Sequence, residues 1–210
     1  DLIKIIKSLN ERGISCPVLL RVTDYLAFRI KQINNSFFRA IREIRYKGEY
    51  KGVFPVKVNQ QAQVIDRIVE FGKEFDFGLE VGSKPELLIA LAHDLSANST
   101  IICNGIKDRE FIHLAILSIK IGFKTILVLE SPRELDLIIK ISKELNVRPL
   151  LGIRVKLTNK VSGNWSQSSG DRSAFGLSVE QVMEVINKLK IYDYLDCLIL
   201  QHSHLGSQIP

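Results

Sequence analysis

Along the chain, the spacing of hydrophobic positions changes repeatedly. Short β-branched and aliphatic runs alternate with longer stretches in which apolar residues recur every three or four positions. The first pattern marks strands and the second marks amphipathic helices. It predicts strands at 18–22, 52–58, 77–81, 100–104, 124–130, 149–157 and 196–202. It predicts helices at 2–12, 25–45, 60–73, 84–92, 109–121, 132–145 and 179–190. Three helix starts carry capping signals. Ser83 is followed by Pro85 and Glu86, Ser131 by Pro132 and Glu134, and Ser178 by Gln181. A serine three residues before Glu or Gln, with Pro just inside the helix, satisfies the otherwise unpaired first N–H groups.

Strand and helix in alternation predict a mostly parallel sheet. Polar residues at the strand ends distinguish an open sheet from a closed one. Lys57, Glu80, Asn104, Glu130 and Arg154 each stand near the carboxyl end of an apolar run, at spacings of 23, 24, 26 and 24 residues. His202 and His204 end the next run; His202 follows Arg154 by 48 residues because a Gly/Ser-rich insertion at 158–176 precedes the helix. Regular βα units with functional groups at strand carboxyl ends fit a (β/α)8 barrel. A doubly wound sheet gathers its site at one switch point instead. The expected class is therefore α/β, a (β/α)8 TIM barrel with about six of its eight strands present. Residues 51–210 read as the partial barrel, and residues 1–50 as a lead-in strand and helices. The sequence opens at Asp1 without methionine and stops just after a motif-rich segment, so a fragment is expected at both ends, with two strands beyond Pro210.

Composition narrows the function classes. With 210 residues, the chain can build one sizeable core but not two comfortable domains. Hydrophobic residues at 46% and charged residues at 25% are ordinary for a globular protein. No apolar run approaches the ~18 residues that span a bilayer, and the charged N-terminus is unlike a secretory signal. The formal net charge is +6, but Lys and Arg are mixed with Asp and Glu along the chain, so no nucleic-acid patch is expected. Cys16, Cys103 and Cys197 form no metal-binding spacing and read as reduced thiols in a cytoplasmic protein.

Strand alternation then assigns faces. In 52–58, Phe54, Val56 and Val58 share one face; Val53, Pro55 and Lys57 share the other, toward the barrel interior. In 149–157, the aliphatics Leu151, Ile153, Val155 and Leu157 turn Arg154 inward beside Gly152. His202 and His204 share a face. An amine, a guanidinium, two imidazoles and the Glu80 carboxylate thus meet at one mouth. Lys57 has two readings on this basis: a barrel-end cation paired with Glu80, or a Schiff-base lysine whose amine is freed by burial and neighbouring cations. In His204-Leu205-Gly206-Ser207, Gly206 lets backbone approach a ligand, Ser207 can bind phosphate and His204 can lie against an aromatic ring. No GxGxxG, Walker, HExxH or GxSxG motif points to nucleotides, zinc or serine hydrolysis.

Several segments in order resemble the biosynthetic arginine decarboxylases. They include Pro17-Val18-Leu19-Leu20-Arg21, Gly52-Val53-Phe54-Pro55-Val56-Lys57-Val58-Asn59-Gln60-Gln61, and Gly78-Leu79-Glu80-Val81-Gly82-Ser83-Lys84-Pro85-Glu86-Leu87. Ile102-Cys103-Asn104-Gly105-Ile106-Lys107-Asp108, Leu151-Gly152-Ile153-Arg154-Val155-Lys156-Leu157, Ser173-Ala174-Phe175-Gly176-Leu177 and His202-Ser203-His204-Leu205-Gly206-Ser207-Gln208-Ile209 follow. The resemblance implies an alanine-racemase-type barrel and pyridoxal 5'-phosphate. It implies that Lys57 carries the cofactor, His204 stacks on its ring, Ser207 holds its phosphate, Arg154 lies near the ring and Glu80 stands at the mouth. It further implies L-arginine as substrate, agmatine as product, polyamine biosynthesis, magnesium, a homo-oligomer and a C-terminal β-domain not contained in this sequence. Ala174 and Ser203 depart from the pattern, where a lysine and an aromatic residue are expected. Other readings remain: a relative acting on another basic amino acid, a non-catalytic pyridoxal-phosphate-binding barrel, or an inactive remnant.

Overall fold

The computed structural model describes residues 1–157 and 175–206. Six strands form one sheet: β1 (Val53–Pro55), β2 (Gly78–Val81), β3 (Thr100–Cys103), β4 (Lys124–Leu129), β5 (Leu150–Arg154) and β6 (Leu198–His202). The helices are α1 (Leu2–Glu11), α2 (Asp24–Glu43), α3 (Ala62–Gly72), α4 (Lys84–Leu91), α5 (Arg109–Lys120), α6 (Pro132–Leu145) and α7 (Val179–Ile191). Every neighbouring pair is parallel, and the strand order is β1-β2-β3-β4-β5-β6. A sheet in which each strand lies beside its successor has no reversal of order, and so no switch point of the doubly wound kind. It is the wall of a (β/α) barrel. Among the described residues β1 and β6 do not pair with each other and form the two edges.

Paired residues of parallel strands face the same way, so the register sorts the side chains. Glu80 aligns with Ile102, Ile102 with Ile126, Val128 with Gly152, and Arg154 with His202. These residues share the concave face. Leu79, Val81, Ile101, Cys103, Leu127 and Leu151 share the other face and are fully buried. They pack with Ile65 of α3, Leu87 of α4, Phe111 and Ile112 of α5, and Ile138 of α6 in one continuous core. Burial of each such aliphatic contributes on the order of 1.5–3 kcal/mol, which fixes this face against the helices and leaves the polar strand-end residues Glu80, Arg154 and His202 on the concave one. Gly152 lets Leu200 and Val128 close over that face: a Cβ there would lie 2.8 Å from Leu200 Cδ2.

The capping serines act as the sequence predicts. Ser83 Oγ accepts from Glu86 N, Ser131 Oγ from Arg133 N, and Ser178 with Gln181 forms a reciprocal capping box.

Two predicted elements differ. No strand forms at 18–22: Val18, Leu19, Leu20 and Val22 are exposed, with no neighbouring strand to take their backbone hydrogen bonds. The predicted strand 52–58 stops at Pro55, and Val56–Val58 curls into a 3-10 turn closed by Asn59 N donating to Val56 O at 3.1 Å. Pro55 has no N–H to continue a ladder, and β1 is an edge with one partner. Strict alternation therefore fails past Pro55: Val56 is buried whereas Val58 is 68% exposed.

Gly78 sits where two strands meet most tightly, since a Cβ would fall 2.1 Å from Thr100 O. Gly78→Ala is expected to cost about 1–3 kcal/mol, the range for overpacking. Urea unfolding of the intact protein checks this; an unchanged midpoint would refute the tight contact.

Candidate active site

The carboxyl ends of the strands carry the polar residues, and short loops link them sideways. Glu80, on β2, is 8% exposed and accepts from Asn104 Nδ2 at 2.8 Å through Oε1. Its Oε2 and Asn104 Oδ1 are buried without a partner among the described residues. Glu130, just past β4, accepts from Gly105 N at 3.1 Å and from Arg154 at 3.0 Å. The Arg154 guanidinium also lies over the Phe175 ring, 5.2 Å from its centroid. Phe175 is brought there after the insertion by a bridge between Val155 and Leu177.

His202 and His204 share the concave face, their rings 6.5 Å apart and edge-on. Both Nδ1 atoms are buried and unpartnered among the described residues. Burial holds both imidazoles below their ordinary value, and the charges of Arg154 and Lys57 lower them further. Lys57 is thus within electrostatic reach of both histidines. It is exposed on the 3-10 turn, and among the described residues its amine has no ion pair within 4.0 Å. The alternative of a structural Lys57–Glu80 pair is therefore not what the structure holds. Gly206, with φ of 127° and open space around its Cα, follows the histidines. Ser207 and Ala174 lie outside the described residues.

Glu86, Glu134 and Lys107 also shape this mouth, and their roles escape a reading by sequence pattern. Glu86 accepts from Gly82 N at 2.7 Å and from Gln60 Nε2 at 3.2 Å, tying the turn after β2 to the segment after Lys57. Glu134 accepts from Glu130 N at 2.9 Å and from Lys107 N at 2.9 Å. The Ser-Pro-Glu signal predicts that Glu86 and Glu134 begin helices. In place, each carboxylate reaches back one residue beyond the capping serine to hold the end of the preceding strand. Cys103, beside Lys107 and Glu80, has its thiol pushed up to about 12, chiefly by burial.

Buried polar atoms without partners are rare in proteins, and a group that binds beside them is one reason for them. Here Glu80 Oε2, His202 Nδ1 and His204 Nδ1 face a mouth that also holds an unpaired amine and an open glycine. Such a donor and acceptor set fits pyridoxal 5'-phosphate, which offers an aldehyde to an amine, a flat ring to an imidazole and a phosphate to backbone at a glycine. It does not extend to a metal: among the described residues no group of three or more His, Cys, Asp or Glu could hold one. Nor is any described helix long and apolar enough to cross a membrane.

Because both imidazoles are held below 6.5, the unfolded chain takes up protons first as pH falls past that value. Their contribution to stability is present above 6.5 and fades as pH drops through the lower folded values. In the cofactor-free intact protein, proton NMR of the His202 and His204 rings is expected to give midpoints below 6.5; a midpoint at or above it contradicts the burial described.

Residues 30–210 match the family described as pyridoxal-dependent decarboxylase, pyridoxal binding domain. All of the chain aligns at 49% identity with the biosynthetic arginine decarboxylase of Gloeobacter violaceus, and at 48% with that of Prochlorococcus marinus. It spans about a third, 32%, of the length of these curated relatives. The crystal structure of the biosynthetic arginine decarboxylase from Campylobacter jejuni superimposes with a TM-score of 0.88 at 36% identity, over 99% of this chain and 33% of that one. Diaminopimelate decarboxylase from M. jannaschii in complex with L-lysine gives 0.68 at 26% identity, over 87% and 41%. These neighbours are barrel enzymes of the alanine-racemase type, so the expected fold is borne out. The chain belongs to the pyridoxal-dependent decarboxylases and carries their pyridoxal-binding domain.

Proposed function

We propose that the intact protein removes the carboxylate of L-arginine to give agmatine and CO2, in polyamine biosynthesis leading to putrescine and spermidine. The convergence of an unpaired amine at Lys57 with unpartnered buried polar atoms of Glu80, His202 and His204 carries the cofactor reading. The choice of arginine leans on the identity with biosynthetic arginine decarboxylases along the whole chain.

In this reading Lys57 holds pyridoxal 5'-phosphate covalently, His204 lies against its ring, Arg154 stands beside it, and Ser207 binds its phosphate. When bound, the cofactor supplies an electron sink for loss of a carboxylate. The residues of this chain bind, orient and move protons. Once the amino group of the substrate takes its place on the cofactor, the freed Lys57 Nζ would return the proton that replaces the departing carboxylate. His202 and His204, kept neutral by burial, add no further positive charge beside Lys57 and Arg154. Glu80 is held by Asn104 on one oxygen and offers the other to the mouth. Residues 1–50 serve as a lead-in, 51–210 as the barrel part, and the protein works as a cytoplasmic homo-oligomer. Magnesium has no support from the ligand chemistry of the described residues, and no step is assigned to it.

The test is decarboxylation by the intact protein with L-arginine, and with L-lysine and L-ornithine as controls. Agmatine should form, with little turnover of the controls. Lys57→Ala should lower the rate by about 10²–10⁴-fold, the range for losing a positioned proton-transfer group. Borohydride reduction after adding pyridoxal phosphate should label the Lys57 peptide; labelling of a different lysine would overturn the assignment.

A further inference from the structure

Lys107 is the least expected charge in the molecule. Its side chain is 0% exposed. A buried ammonium is costly unless paired and hydrogen-bonded, and its contacts are specific. Nζ donates to Gly105 O at 2.5 Å and stands 3.5 Å from Glu134, while its backbone N donates to Glu134 Oε1 at 2.9 Å. Glu134 Oε2 in turn accepts from Glu130 N at 2.9 Å. The Glu130 carboxylate receives Gly105 N and Arg154. Gly105 is therefore gripped twice, its N–H by Glu130 and its C=O by Lys107. With φ of 73° and a Cβ position 2.9 Å from Gly82 O, it admits no larger residue without a shift.

We propose that Lys107 and Glu134 form a charge-balancing relay that holds Arg154 in place through Glu130, which makes Lys107 a positioning residue of the cofactor site. The group has two carboxylates, one ammonium and one guanidinium, and so sums to neutral. Arg154 is its member that stands nearest the histidines on the concave face, with Glu130 beside it. Burial pulls the Lys107 ammonium below its ordinary range, while Glu134 and then Glu130 draw it back up, as a cation serving both carboxylates should behave. Removing Lys107 leaves Glu134 as an uncompensated buried carboxylate close to Glu130. Without Lys107, Gly105 also loses the grip on its C=O, so the loop that presents Gly105 N to Glu130 is held from one side only and Glu130 is less fixed in its direction toward Arg154. A buried ion pair is weak support for stability, so the value of the relay lies in where it puts Arg154.

The relay rests on the pyridoxal-phosphate reading for its consequence and on the described geometry for its existence, and the test separates the two. In cofactor-free intact protein, the rate at which phenylglyoxal modifies Arg154 is followed by peptide mass mapping. The dissociation constant for pyridoxal phosphate is measured by absorbance on the same samples. Lys107→Met should raise both the Arg154 modification rate and the dissociation constant by about tenfold, the effect of losing one coupled polar partner. Adding Glu134→Gln removes the stranded charge and should bring both back toward the parent. If Lys107→Met melts without cooperativity, Lys107→Gln, whose amide can still donate to Gly105 O, is read in its place with the same expectation. A folded variant within twofold of the parent on Arg154 modification overturns the relay, as does a double variant no better than the single. If the parent takes up no pyridoxal phosphate, the functional reading fails, and the modification rate still decides the relay.

Discussion

One buried carboxylate organises the mouth of this sheet. Glu130 stands at the end of β4, and three loops depend on it. Its oxygens take the Gly105 amide from the loop after β3 and the guanidinium at the end of β5, and its own amide is held by Glu134 of α6. A carboxylate in such a place is tolerable because both of its oxygens meet donors, one of them a guanidinium. Without it, the strand ends of β3, β4 and β5 would have no common reference, and Arg154 would have no fixed direction. Glu86 does for β2 and the Lys57 segment what Glu134 does for β4. The heights of the strand ends are thus set by carboxylates from the first turn of the following helices.

The helices and most strands were legible because local periodicity and burial agree. The apolar stripe of α5 meets the outer face of β3 and β4, and the Pro and Ser signals before α4 and α6 cap as chemistry predicts. The inward direction of Glu80, Arg154 and His202 was readable from simple alternation, since a parallel register preserves it. The lysine turn was not, because a proline at a sheet edge ends alternation two residues too early. The segment at 18–22 has strand composition but nothing to pair with. Lys107 was invisible for another reason. Beside Asp108 it has the look of a solvent-facing loop cation, and only Glu134, 27 residues further on, makes it an interior group.

The site therefore joins two kinds of residue. Lys57, the two histidines and Glu80 keep atoms without partners among the described residues. Lys107, Glu130 and Glu134 are joined to one another, and Glu86 to the turn beside Lys57, with hydrogen bonds made within the protein. The first set has the freedom that binding needs, and the second removes that freedom from the backbone beneath. Arg154 stands at the boundary, fixed on one side by Glu130 and touching Phe175 on the other.

Cys103 adds a last consequence. Thiols and amines compete for the same carbonyl carbon, and a thiolate close to an aldehyde-binding lysine would divert the ligand into a dead-end adduct. The Cys103 sulfur lies one residue from Asn104, yet it points into the hydrocarbon side of the sheet and keeps its proton up to about 12. The sheet thus acts as a chemoselective partition, with the Lys57 amine on the turn beyond its first strand and the Cys103 sulfur sealed among the aliphatics behind it.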